Sequence, residues 1–137
     1  MAFEVTKNIA DKDVVIMNAA CSDYTPQKFS KNKIKKTKEK INISFKKTKD
    51  ILSLIKAKRK FTIAFSVDTV DAIKSAKQKM DKKGVDIMIM NPVETAGSDL
   101  VKMAIIQKGK RLRQLKQMRK AEAALEIVNI IAESIRN

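Results

Sequence analysis

Three short runs of this chain are apolar almost without interruption: Asp13–Asn18 around Val14-Val15-Ile16-Met17, then Phe61–Ser66, then Val85–Met90. Unbroken apolar runs of this length fit strands buried on both faces of a sheet. Between them the apolar residues fall three or four apart, which is the helical period. Residues 3–10 read as the end of a helix or a short helix of its own. Thr48 supplies an N-cap for a helix reaching about Ala57. Asp68 or Thr69 caps another, with Val70, Ile73, Ala76 and Met80 on its apolar face and Gly84 at its C-terminus. Ile41, Ile43 and Phe45 alternate with polar residues, as in a half-exposed strand. Ala19–Asn32 reads as a loop turning near Pro26, and Asn91–Ser98 as a loop holding Pro92 and Gly97. Leu100–Gln107 and Arg111–Leu115 flank Lys108-Gly109-Lys110 as a hairpin. The chain closes with a helix over about Met118–Ile135, whose predicted inner face is Ala121, Leu125, Val128, Ala132 and Ile135.

Buried strands alternating with helices predict an α/β fold. The expectation is three layers: a Rossmann-like, mostly parallel sheet with helices on both faces, right-handed crossovers, and a C-terminal β-hairpin plus helix. Residues 1–137 read as a single domain without internal repeats. Ligands of such sheets sit beyond the carboxyl ends of the strands. Asn18-Ala19-Ala20-Cys21-Ser22-Asp23-Tyr24-Thr25-Pro26 would lie there. Its small side chains admit a ligand close to the backbone, and an acid with nearby lysines can read hydroxyls and phosphates. The lysine-dense 28–40 stretch has only Phe29 and Ile34 as apolar anchors and is expected to form a mobile flap.

Composition narrows the chemistry. The chain has no histidine and one cysteine, Cys21. Intrachain disulfides, Cys/His zinc sites and Ser-His-Asp or Cys-His catalysis are thereby excluded. Carboxylates, lysines, hydroxyls, backbone groups or an oxygen-ligated metal remain. The net charge of +15 suggests polyanionic partners. Lysines supply most of it and aromatics are only 4%, so solvated lysine-rich faces are favoured over nucleic-acid binding. The only glycines, Gly84, Gly97 and Gly109, make no phosphate-cradling loop. No run approaches membrane-spanning length and no secretory signal is visible, so a cytoplasmic location without membrane contact is expected.

Several segments, in order, resemble one known family. Asn18-Ala19-Ala20-Cys21-Ser22-Asp23-Tyr24-Thr25-Pro26 looks like Ala-Ala-Val-Ala-Asp-Tyr/Phe-x-Pro. Lys33-Ile34-Lys35-Lys36, ten residues after Asp23, matches Lys-Ile-Lys-Lys. Lys49-Asp50-Ile51-Leu52 resembles Asn-Pro-Asp-Ile-Leu, and Ala64-Phe65-Ser66-Val67-Asp68-Thr69 resembles Gly-Phe-Ala-Ala-Glu-Thr. Lys79, Lys83-Gly84-x-Asp86, Asn91 and Gly97-Ser98-Asp99 follow in register. Together they resemble the C-terminal, ligase part of the bacterial bifunctional flavoproteins of coenzyme A synthesis, phosphopantothenoylcysteine decarboxylase fused to phosphopantothenate–cysteine ligase.

The resemblance implies a two-step reaction. The 4′-phosphopantothenate carboxylate attacks the α-phosphate of CTP, releasing pyrophosphate, and cysteine's amine then displaces CMP. It implies CTP as substrate, Mg2+ as cofactor, and no FMN site. Asn18, Ala19, Asp23, Lys33, the backbone of Lys49, Asp50, Ile51 and Leu52, Phe65, Lys79 and Lys83 would form the nucleotide site, with Lys33 catalytic on the flap. A homodimer is implied too. On the residues alone, Asp23 could serve a turn, Phe65 the core, and Lys79 and Lys83 a solvated helix face. Cys21-Ser22 stands where the family has Val-Ala, and Thr48-Lys49 where it has Asn-Pro. The family's glycine-bearing Ser-Asn-x-Ser-Ser-Gly-x-Met-Gly stretch finds no match. The expectation is therefore an incomplete ligase domain that needs a further N-terminal segment or a decarboxylase partner. The competing expectation is a degenerate paralogue that binds RNA or another polyanion, or serves as a structural partner module.

Overall fold

The computed structural model describes residues 1–34, 40–58, 60–67, 73–91 and 97–136. Their elements run α1 (Ala2–Asn8), β1 (Val14–Met17), β2 (Tyr24–Pro26), β3 (Phe45–Lys47) and α2 (Ile51–Ile55), which tightens into a 3-10 turn at Lys56–Lys58. Then come β4 (Phe61–Val67), α3 (Ile73–Lys83), β5 (Ile87–Asn91), β6 (Leu100–Val101), β7 (Ala104–Gln107), β8 (Arg113–Gln114), β9 (Met118–Arg119) and α4 (Lys120–Arg136).

The central sheet has the order β1-β4-β5-β7-β8. β1, β4 and β5 are parallel, with Val14 opposite Phe61 and Ile63 opposite Ile87. β7 and β8 are added antiparallel, with Ile89 opposite Ile105. Alternation of side chains along the strands sorts the core onto two faces. Ala64, Met88, Met90 and Ile106 pack against Ala76 and Met80 of α3. Val15 and Met17, on the same side, meet Ile9, Ile51 and Ile55. On the other side Ile63, Ile87, Ile89 and Ile105 pack against Ala123, Ile127, Ile130 and Ile131 of α4. The three-layer α/β arrangement expected from the sequence is the one observed.

Several local expectations fail for identifiable reasons. β1 is shorter than Asp13–Asn18 and only partly buried, because it is the sheet's edge strand and α1 and α2 cover one of its faces. Val14 reaches the α4 cluster, but Ile16 does not and is 50% exposed. Thr48 does not cap α2. Its hydroxyl donates to the Ser22 carbonyl at 2.6 Å, and Asp50 takes the cap by accepting from the Ser53 amide. The predicted strand around Ile41–Phe45 shrinks to β3, which pairs with β2 inside the segment read as a loop. Leu100–Gln107 is broken in two: β6 pairs with β9 and β7 joins the main sheet. Val101, Met103 and Leu115 are all drawn into the cluster under α4, which bends the chain between the two pieces.

The face of α4 is also rotated from the predicted one. Leu125 is 66% and Val128 55% exposed, while the inner stripe is Ala123, Ile127, Ile130 and Ile131. The helix carries two apolar stripes, and the one richer in isoleucine is buried. Asp68, Thr69 and Val70, the expected start of the helix before Gly84, lie outside the described residues. So do Pro92 and residues 35–39 of the expected flap.

Candidate functional site

The pairing of β2 with β3 builds the site. It sets Tyr24 opposite Lys47, so the Thr48 amide donates to the Asp23 carbonyl at 2.9 Å. Residues far apart in sequence are thereby clamped: Ser22-Asp23 leaves β1 directly beside Thr48-Lys49-Asp50, which enters α2. Parallel pairing of β1 with β4 places the end of β4 on the other side. Between them is an open cavity of about 530 Å3, floored by Ala19, Ala20 and Ala64, with Asp23, Lys49 and Lys83 among its charged lining.

Eight of the residues singled out from sequence line this cavity: Ala19, Asp23, Lys49, Asp50, Ile51, Leu52, Phe65 and Lys83. Three do not. Asn18 is exposed but turned out of the lining, and Lys79 is exposed one turn before Lys83 on α3. Lys33 stands on the arm beyond β2, exposed and outside the cavity wall. The cavity also takes Thr48 and Ser66, which sequence reasoning passed over. Thr48 was legible only as a capping residue, and Ser66 only as the last residue of a buried strand.

Asp50 is the best-held group in the site. Its carboxylate accepts from the Ser53 hydroxyl at 3.0 Å and the Ser53 amide at 3.4 Å, and lies 3.4 Å from the Lys83 ammonium. Partial burial works to raise its pKa, but the Ser53 bonds and Lys83 outweigh that and hold it below the ordinary 3.8. This changes the expectation of an anion-binding helix start at Lys49–Leu52. α2 is a five-residue helix whose own cap is anionic, so it offers no free N-terminal site. Ile51 is buried in the core and also lines the cavity.

Lys83 has a fixed base. Lys56 extends from the end of α2 to donate to the Lys82 carbonyl at 2.9 Å and the Asp81 carbonyl at 3.4 Å, capping α3. Its stem passes over Gly84, whose φ of +68° ends the helix in the left-handed conformation. The end of α2 is thus strapped to the end of α3, and the Asp50–Lys83 contact ties the start of α2 to the same place at the cavity.

A second hollow of about 660 Å3 lies in the arm after β2, between Phe29, Ile34, Ile41 and Ile43. Among the described residues no carboxylate lines it, and its apolar walls are exposed, with Phe29 at 88%. Of these two, the cavity at β1 and β4 carries the chemical equipment: two ammonium groups for phosphates and two carboxylates for hydroxyl, amino or metal partners, while Phe65, which also lines it, packs against the α4 cluster. No cluster of three or more metal-ligating side chains occurs among the described residues. No helix among them is long and apolar enough to cross a membrane.

Comparison with known proteins agrees with the fold. Residues 1–135 match the model of the family described as DNA/pantothenate metabolism flavoprotein C-terminal domain. The chain is 35% identical over 124 residues to the coenzyme A biosynthesis bifunctional protein CoaBC of Borreliella burgdorferi, covering 87% of this chain and 32% of that protein. It is 29% identical over 126 residues to a cysteine/cysteine sulfinic acid decarboxylase from an unknown prokaryotic organism, covering 87% and 35%. The chain thus spans about a third of the length of these relatives. The solved C-terminal domain of a CoaBC protein superposes with a TM-score of 0.79 at 23% identity, covering 98% of this chain and 61% of that one.

Proposed function

Because the chain belongs to the DNA/pantothenate metabolism flavoprotein C-terminal domain family, we propose that it acts in coenzyme A biosynthesis as the CTP-binding portion of a phosphopantothenate–cysteine ligase. The observation that carries this reading is the convergence of Asp23, Lys49, Phe65 and Lys83 on one cavity beyond the carboxyl ends of parallel strands. Phe65 serves as a wall for the base, Asp23 accepts from hydroxyl or amino groups of the nucleotide, and Lys49 and Lys83 hold its phosphates. Asp23 matches one of the one or two carboxylates with which Mg2+ is usually held beside substrate phosphates. The ion would neutralise charge on the phosphates as pyrophosphate leaves. Lys33, exposed on the arm beyond β2, serves the acyl-cytidylate step.

The reading includes a missing wall. Among the described residues β1 pairs with β4 on one side only, and Ile16 is half exposed on the face that α4 leaves uncovered. A further strand and helix from an N-terminal ligase segment would pair with β1, cover Ile16 and supply the acyl-substrate side of the site. The exposed arm residues Phe29, Ile34 and Phe45 support a homodimer.

A ligase assay tests the proposal. CTP, 4′-phosphopantothenate and cysteine are supplied to the chain alone and to the chain with an N-terminal ligase segment, following pyrophosphate release separately from amide formation. CTP-dependent pyrophosphate release that needs the added segment is the expected result. No release with the segment present contradicts it.

A further inference from the structure

We propose that Asp50 is the resting counter-ion of Lys83, holding its ammonium at the cavity mouth and releasing it to a phosphate when an anionic ligand enters. This rests on the nucleotide reading of the cavity and assigns Asp50 a positioning role within it.

The asymmetry of the pair carries the inference. Among the described residues the Asp50 carboxylate has three partners, and two of them, the amide and hydroxyl of Ser53, belong to its own helix. It keeps its place when the third is withdrawn. Lys83 has a fixed root, because Lys56 anchors the last carbonyls of α3 and its stem lies over Gly84. Its ammonium, at the end of a four-carbon stem and with a side chain 35% exposed, is free to swing about that root. At 3.4 Å the contact is a long one, easily exchanged. Both side chains line the same cavity, so the exchange needs no movement of backbone. Without the counter-ion, a lysine beside a basic neighbour such as Lys49 would turn to bulk water and have to be recaptured by each incoming ligand. With it, the ammonium waits in place, and part of the ligand's binding energy is spent on displacing Asp50.

Asp50→Asn isolates this role, because asparagine caps a helix as well as aspartate does. The experiment is a double-mutant cycle read by calorimetric titration with Mg·CTP, comparing the wild type, Asp50→Asn, Lys83→Gln and the double variant. Asp50→Asn is expected to tighten binding about two- to fivefold when Lys83 is present, the range of an exposed ion pair. It should change binding by less than about 1.5-fold when Lys83 is glutamine. In the ligand-free protein, the NMR signal of the Lys83 side-chain Cε is expected to shift on Asp50→Asn and to shift likewise when Mg·CTP binds. Equal tightening in both backgrounds would mean that Asp50 acts only through its charge, and would overturn the exchange while leaving the nucleotide reading intact. Binding by none of the four proteins overturns the nucleotide reading and the exchange with it.

Discussion

Gly84→Ala probes the strap that fixes Lys83. Gly84 has φ +68°, where an L-residue costs about 1–2 kcal/mol. A Cβ there would lie 2.8 Å from Lys56 Cγ and 3.2 Å from its Cδ. The Lys56 stem must move, and its ammonium then gives up the Lys82 carbonyl at 2.9 Å and the Asp81 carbonyl at 3.4 Å. These bonds are exposed, so their loss adds about 0.5 kcal/mol. The total is about 2 kcal/mol of stability. It is measured by guanidinium denaturation followed by far-ultraviolet circular dichroism, with an unchanged dependence on denaturant. In a Lys56→Ala background the same substitution should cost about 0.5 kcal/mol less, because only the backbone part remains. A loss below about 0.5 kcal/mol in the wild-type background would refute the backbone argument. An identical loss in both backgrounds would refute the role given to Lys56.

Three further outcomes follow from the packing and the site. Ile127→Ala should cost about 2–4 kcal/mol, because Ile127 is only 7% exposed, whereas Leu125→Ala should stay within about 0.5 kcal/mol; equal costs would mean that α4 is buried through the other stripe. Ile16→Lys should change the stability of this chain by less than about 1 kcal/mol yet abolish pyrophosphate release that depends on an added N-terminal segment; loss of folding in the chain alone would contradict the open edge. The Asp50 carboxyl is held below its ordinary 3.8 in the folded chain, so its ionic contribution is fully present above that value and is lost as pH falls through the lowered one. The Asp50 side chain is 44% exposed, so wild type should exceed Asp50→Asn in stability by only a few tenths of a kcal/mol near neutrality. That difference should shrink as pH drops below 3.8; a difference that grows on acidification contradicts the sign.

The layers of the fold were legible because Ile63, Ile87 and Ile89 sit in runs that only a doubly covered strand explains. What periodicity could not decide was which of two apolar stripes on α4 turns inward, since both have helical spacing and only the surface they meet distinguishes them. The shortness and exposure of β1 were hidden for a similar reason: its run is as apolar as those of β4 and β5, and edge position is a property of the whole sheet. In the site, Ala19 and Asp23, just beyond β1, could be placed from the order of elements, whereas Phe65 came from the family resemblance and on its own residues read equally as the core residue that it partly is. Lys83 was named with Lys79 as a pair one turn apart, but only Lys83 reaches the cavity, because the end of α3 is where Lys56 and Asp50 meet it. The role of Thr48 depended on the β2–β3 pairing, a contact between two short, exposed strands that carry almost no periodic signal.

The central claim is that the cavity between β1, α2 and β4 holds a nucleotide. Calorimetric titration of Mg·CTP into the wild-type chain and into Asp23→Ala tests it most directly. Saturable one-to-one binding is expected, weakened about tenfold or more by Asp23→Ala, the loss of a hydrogen bond to a charged group. Absence of binding to the wild type, with the N-terminal segment present as well as absent, would contradict the claim, as would binding that Asp23→Ala leaves unchanged.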